Sequence, residues 1–112
     1  MPYTTLARVK EILQITVTDK DTMLNNLIAE VDEEINSILS RYTTVPVADP
    51  NVTDALNGVE AEWVAGLYRM YTEPAVMTSP EGQAREHVLT TNARRRLYWL
   101  IEKMFKQRVE PL

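Results

Sequence analysis

The residues able to do chemistry are few, and their spacing argues against catalysis. His87 is the single histidine and cysteine is absent, so the thiolate and imidazole sets that hold zinc cannot be assembled. As a general base His87 would need a positioned partner. Its neighbour Glu86 would lie about 100° away around a helix, so a solvent-exposed or packing role is expected. Asp19-Lys20-Asp21 resembles the start of a calcium-binding loop, but the glycine and closing glutamate of such a loop do not follow. Asp21 is better read as an amino-terminal helix cap. Glu30, Asp32, Glu33 and Glu34 spread around a helix instead of converging on an ion. Gly58, Gly66 and Gly82 are isolated, which leaves no phosphate-cradling loop, and no serine sits in a nucleophile elbow. The chain is therefore expected to be no enzyme, with no catalytic residue, no cofactor and no metal.

Two groups suit recognition instead. Arg94-Arg95-Arg96 sweep about 200° of a helix, so one or two of them can meet a phosphate or a partner carboxylate; the plainer reading is a solvated basic turn. Leu97-Tyr98-Trp99-Leu100-Ile101 would cover a helix on every side, and a small bundle buries only one or two sides of its last helix. The surplus, Tyr98 or Trp99, is expected to face a partner, where aromatics are enriched. The competing reading closes Trp99 onto Trp63 in the core. Charge is also unevenly spread. Residues 1–84 carry five Lys/Arg against thirteen Asp/Glu, a net of −8, and residues 85–112 carry seven against three, a net of +4. The basic end could bind an acidic partner or the acidic part of a neighbouring copy.

These residues must be positioned by helices. With 45% hydrophobic and 25% charged residues in 112, the composition is that of a globular domain, and residues 1–112 are read as one all-α domain of about four main helices. A first helix is predicted over about Thr5 to Gln14, with Thr4 or Thr5 as cap and Leu6, Val9 and Leu13 on one face. The β-branched link from Ile15 to Lys20 ends it. A second helix follows Asp21, with Leu24, Leu27, Ile28, Val31, Ile35, Ile38, Leu39 and Tyr42 at helical spacing. Asn26, Glu30, Glu33, Ser37 and Arg41 fall on its opposite face. Pro46 and Pro50 place a loop over 43–53. A third helix is expected from about Thr53 to Tyr71, with Leu56, Val59, Trp63, Leu67 and Met70 on one face and Val64, Tyr68 and Tyr71 widening it. A variable loop or arm precedes the last helix, which starts at Ser79-Pro80-Glu81 or nearer Gln83 and reaches about Arg108. Gly82 and Thr90-Thr91-Asn92 weaken its first half.

The longest apolar run, Leu97 to Ile101, is far short of the roughly 20 residues of a membrane span, and Met1 to Thr5 lack the features of a signal peptide. Production in the cytoplasm and no membrane association are expected. Residues 5–28 also fit a helix-turn-helix regulator, the alternative function. Against it, the second helix opens on Asp19, Lys20, Asp21 and becomes strongly acidic, which phosphate repels.

The string Tyr3-Thr4-Thr5-Leu6, Val9-Lys10-Glu11-Ile12-Leu13, Ile15-Thr16, then Asp19 and Asp21, Leu24-x-x-Leu27-Ile28, Ile35, Ile38, Leu39 and Arg41-Tyr42 resembles the amino-terminal half of the tailed-phage head–tail connector (gp6-like neck adaptor) family. The stretch from Trp63 to Tyr71 also fits, while the chain from Pro74 onward departs from the family pattern. The resemblance implies a structural, non-catalytic subunit of the virion neck in a phage or prophage. It implies a homo-oligomeric ring, usually a dodecamer, beneath the portal protein. The ring would offer a platform to tail or stopper proteins and extend a channel through which DNA passes without specific binding. On that reading Arg94, Arg95, Arg96, Tyr98, Trp99, Val109 and Leu112 are candidate interface residues. Glu30, Glu33 and Glu34 are candidate channel-facing acids.

Overall fold

A computed structural model of the chain describes residues 2–72 and 88–106, without the side chains at 105 and 106. Four α-helices and no strand are found among the described residues. The first, α1 (Leu6–Leu13), is bounded by two caps. Thr5 Oγ1 accepts from the Arg8 amide at 3.2 Å, and Gln14 takes the left-handed conformation at φ 59°. Such a residue stops a helix by turning its amide back to the last carbonyls. Val9 and Leu13 are buried and Leu6 and Ile12 pack partly against the core, as their spacing predicts.

The next helix, α2 (Asp21–Leu39), buries Leu24, Leu27, Ile28, Val31, Ile35 and Leu39. The opposite face, Asn26, Glu30, Glu33 and Ser37, is exposed. Asp21 is not its cap. Lys20 holds the cap position without a side-chain bond, and the Asp21 carboxylate accepts from Lys10 Nζ at 2.8 Å. The acid still favours the positive end of the helix dipole, but its second task is to tie the start of α2 to α1. The pair is partly buried, with 16% and 29% of the two side chains exposed. Lys10→Ala is therefore expected to cost about 1 kcal/mol, seen as a lower urea midpoint with unchanged slope.

The third helix, α3 (Pro50–Thr72), begins earlier than the prolines suggest. Pro50 stands at the first helical position, where its missing N–H has no partner to lose. Asp49 starts the helix, its Oδ1 accepting from the Asn51 amide at 3.0 Å and its carbonyl from the Val52 and Thr53 amides. Only Pro46, preceded by a cis peptide, lies in the loop. Leu56, Val59, Trp63 and Val64 are buried and Leu67 and Tyr68 half-buried. Tyr71, read as widening the apolar face, is 58% exposed, because burial along α3 stops at Gly66.

The last helix, α4, is described over Val88–Ile101 and continues as a π-helical turn, Glu102–Lys106. Thr90, Thr91 and Asn92 are helical, not part of an irregular arm. Thr90 is buried beside Gly66, so its hydroxyl is covered by tertiary packing that no local propensity reports. The predicted arm and helix start over 73–87, with His87, lie outside the described residues, as does the predicted end near Arg108. In the bundle α3 is central, packing on α1, α2 and α4, whereas α4 makes no substantial contact with α1 or α2. No helix of the described residues is long and apolar enough to cross a membrane.

Candidate functional site

One partly buried polar network fixes the body of the molecule. The Tyr3 hydroxyl donates to Asn36 Oδ1 and accepts from the Val47 amide at 2.9 Å. Asn36 Nδ2 donates to Asp32 Oδ2 at 3.3 Å. On α3, Glu60 is wholly buried, and its Oε1 accepts from the Thr4 amide at 3.0 Å. With both acids ionised, Asp32 Oδ1 and Glu60 Oε2 would be buried without partners. A proton on Glu60 removes the problem by forming a carboxyl–carboxylate hydrogen bond. Burial, followed by that bond to Asp32, pushes the Glu60 carboxyl up to about 8. Burial also raises the Tyr3 hydroxyl, keeping it a donor. The network joins the amino-terminal segment, α2, the loop at Val47 and α3.

Sequence reasoning passed over Glu60. A signal was available: Glu60 falls on the stripe of Leu56, Val59, Trp63 and Val64, where an acid is out of place. Of the carboxyl pair, Glu60 is wholly buried and Asp32 partly buried.

Recognition groups gather elsewhere, on α4. Ala93, Leu97, Leu100 and Ile101 are buried, which turns Tyr98 and Trp99 outward at 56% and 62% exposure. Trp99 therefore does not close onto Trp63. Trp63 is 1% exposed and is overlaid by the Arg94 guanidinium, 5.1 Å from its ring centroid, an arrangement that favours the cation electrostatically. Arg96 Nη1 pairs with Glu62 Oε2 at 3.0 Å. Arg95, one exposed residue between them, makes no ion pair among the described residues. The three arginines thus divide: two brace α4 on α3, and one points to solvent. Beside Trp99 lies a groove of about 240 Å³ lined by Ala55, Val59, Arg96, Trp99 and Leu100.

On α2, Glu30, Glu33, Glu34 and Ser37 share one exposed stripe that borders a shallow depression of about 360 Å³. They form a solvated acidic face and do not gather around a point. Val109 and Leu112, the remaining interface candidates, lie outside the described residues.

The model of a family described as phage gp6-like head-tail connector protein matches residues 3–81. The match takes in the buried network and α1 to α3, and it ends before α4. No curated protein and no solved structure gives a match.

Proposed function

The chain belongs to the phage gp6-like head–tail connector family, a family of structural virion-neck proteins, and we propose that it acts as one subunit of a non-catalytic ring, twelve copies in the virion, joining the portal to the tail. The observation that carries this reading is the division of α4 into a buried half and an outward Tyr98–Trp99 half beside the exposed cation Arg95. Two large exposed aromatics on one helix are costly to leave in water and form the kind of anchor that interfaces use. The acidic stripe Glu30, Glu33, Glu34 would line the DNA channel, where like charge keeps a passing duplex from adhering. Portal and tail or stopper proteins would be the axial partners. Synthesis would take place in the cytoplasm of the bacterial host. A helix-turn-helix regulator fits less well, because the exposed face of α2 is acidic.

The test is electron microscopy with light scattering on the purified protein, at high concentration, with and without the portal protein of the same phage or prophage. Closed rings, or a portal lengthened by one layer, are expected. A protein that stays monomeric and never joins the portal rejects the proposal. Trp99→Ala should keep parental helicity and lower ring or portal occupancy at least about tenfold, the loss of roughly 1.4 kcal/mol or more expected for an interface anchor.

A further inference from the structure

Among the described residues five large hydrophobic side chains are strongly exposed: Val17, Tyr71, Val88, Tyr98 and Trp99. Four stand at the end of α3 or on α4. Val17 stands apart, at 58% exposure on the link between α1 and α2. That link is held firmly. Gln14 turns it away from α1, the Ile15 amide donates to the Lys10 carbonyl at 3.1 Å, and the Asp21 amide donates to the Thr18 carbonyl at 3.1 Å. The Lys10–Asp21 pair closes its base. Val17 is thus an aliphatic knob on a braced turn, flanked by Thr16, Thr18 and the exposed carboxylate of Asp19.

The groove on the α3–α4 flank has the converse chemistry. Ala55, Val59, Leu100 and the Trp99 ring give it apolar walls, and Arg96 stands at its edge. Its volume of about 240 Å³ is below the roughly 300–1,000 Å³ of small-ligand pockets and suits a side chain better. The exposed cation Arg95, which makes no ion pair among the described residues, lies one residue from that edge. Within one copy the knob does not fill the groove: Val17 is 58% exposed and is not among the residues that line it. An exposed hydrophobic residue that fits a pocket elsewhere on the same molecule makes a head-to-tail contact, which closes into a ring when the rotation permits.

We infer that the Thr16–Asp19 turn of one copy docks in the α3–α4 groove of the next, with Val17 between Trp99 and Ala55 and Asp19 facing Arg95. This names the lateral contact of the proposed ring and rests on that reading for its closure, but the contact is testable without the ring. Complementarity of an apolar knob plus acid with an apolar groove plus cation selects a second copy of this chain as the occupant.

The chain has no native cysteine, so introduced thiols are the only ones present. Val17→Cys and Ala55→Cys are made as separate proteins, checked for parental helicity, and oxidised with copper phenanthroline singly and mixed in equal amounts. The mixture should give at least about tenfold more disulfide dimer than either protein alone, and adding Trp99→Ala to the Ala55→Cys protein should reduce that yield about tenfold, as loss of one interface anchor predicts. Cross-linking no greater in the mixture than in either single variant overturns the contact. So does a dominant Val17–Val17 or Ala55–Ala55 product. Rings on the portal, imaged for the unmodified protein, are scored separately: rings without mixed cross-links reject this contact and leave the connector reading standing. If the Ala55→Cys protein fails to fold, Arg96→Cys, half-exposed at the groove edge, takes its place with the same readings.

Discussion

Gly66→Ala is expected to destabilise the fold by about 2–3 kcal/mol, lowering Tm by roughly 10 °C. A methyl group there would lie 2.1 Å from Thr90 Oγ1 and 2.8 Å from the Thr90 backbone nitrogen. The hydroxyl could rotate aside, but the amide belongs to α4 itself, so the whole helix would have to move. Gly66, Ala61 and Ala65 on α3, and Thr90 and Ala93 on α4, are all buried. With such small residues buried on both helices, α4 has no loose packing to absorb the shift. Alanine's better helix propensity returns about 1 kcal/mol, which is already allowed for in the expected range. Gly58→Ala is the matched control. The nearest atoms to its new carbon would be those of the Arg96 guanidinium, 2.9 Å away at Nη2, and that half-exposed group can swing away. Gly58→Ala should therefore fall within about 0.5 kcal/mol of the parent or be slightly more stable. Urea unfolding of both variants decides the matter: equal effects would mean that α4 does not approach α3 closely at Gly66.

The contrast between these glycines also marks where the sequence stops being informative. The spacing of Leu24, Leu27, Ile28, Val31, Ile35 and Leu39 is enough to place α2 and its buried face, because burial there follows a single helical period. The run Leu97 to Ile101 shows that some apolar surface must be left over, but five consecutive apolar residues have no period. Which of them turns outward is set by the packing of α4 on α3. The arginine triplet is ambiguous for the same reason. Only the neighbouring helix reveals that Arg94 lies over Trp63, that Arg96 meets Glu62 and that Arg95 is left to solvent. Pro50 misleads because a proline that would break a helix interior is well suited to its first position. Glu60 is hidden for a deeper reason: an acid is tolerated in a core only when partners distant in sequence satisfy it, here Thr4 at a separation of 56 residues and Asp32 on α2.

That buried acid gives the second large effect. Stability should fall as pH rises from about 4.5 to about 8, and Glu60→Gln should remove most of the fall. In the folded protein the Glu60 carboxyl is raised from 4.5 to about 8, first by burial and then by its bond to Asp32. Between those values the native state holds a proton that the unfolded chain releases. Folding then takes up a proton, so the stabilisation is complete below about 4.5 and is lost as pH climbs through about 8. One such group contributes a slope of at most about 1.4 kcal/mol per pH unit. Above that range Glu60 and Asp32 are both charged in an enclosed space, and their repulsion weakens the anchorage of Thr4 and, through Asp32 and Asn36, of Tyr3 and the Val47 loop. Glutamine preserves the geometry without the proton: its Oε1 accepts from the Thr4 amide while its Nε2 donates to Asp32. Every other titrating group is common to both proteins and cancels in their difference. Urea midpoints of parent and variant at pH 5, 6, 7 and 8 should therefore lie close together at the acid end and diverge in the variant's favour toward pH 8. Parallel pH profiles would show that the two carboxyls do not share a proton. A variant weaker at every pH would show that the network needs the carboxyl itself.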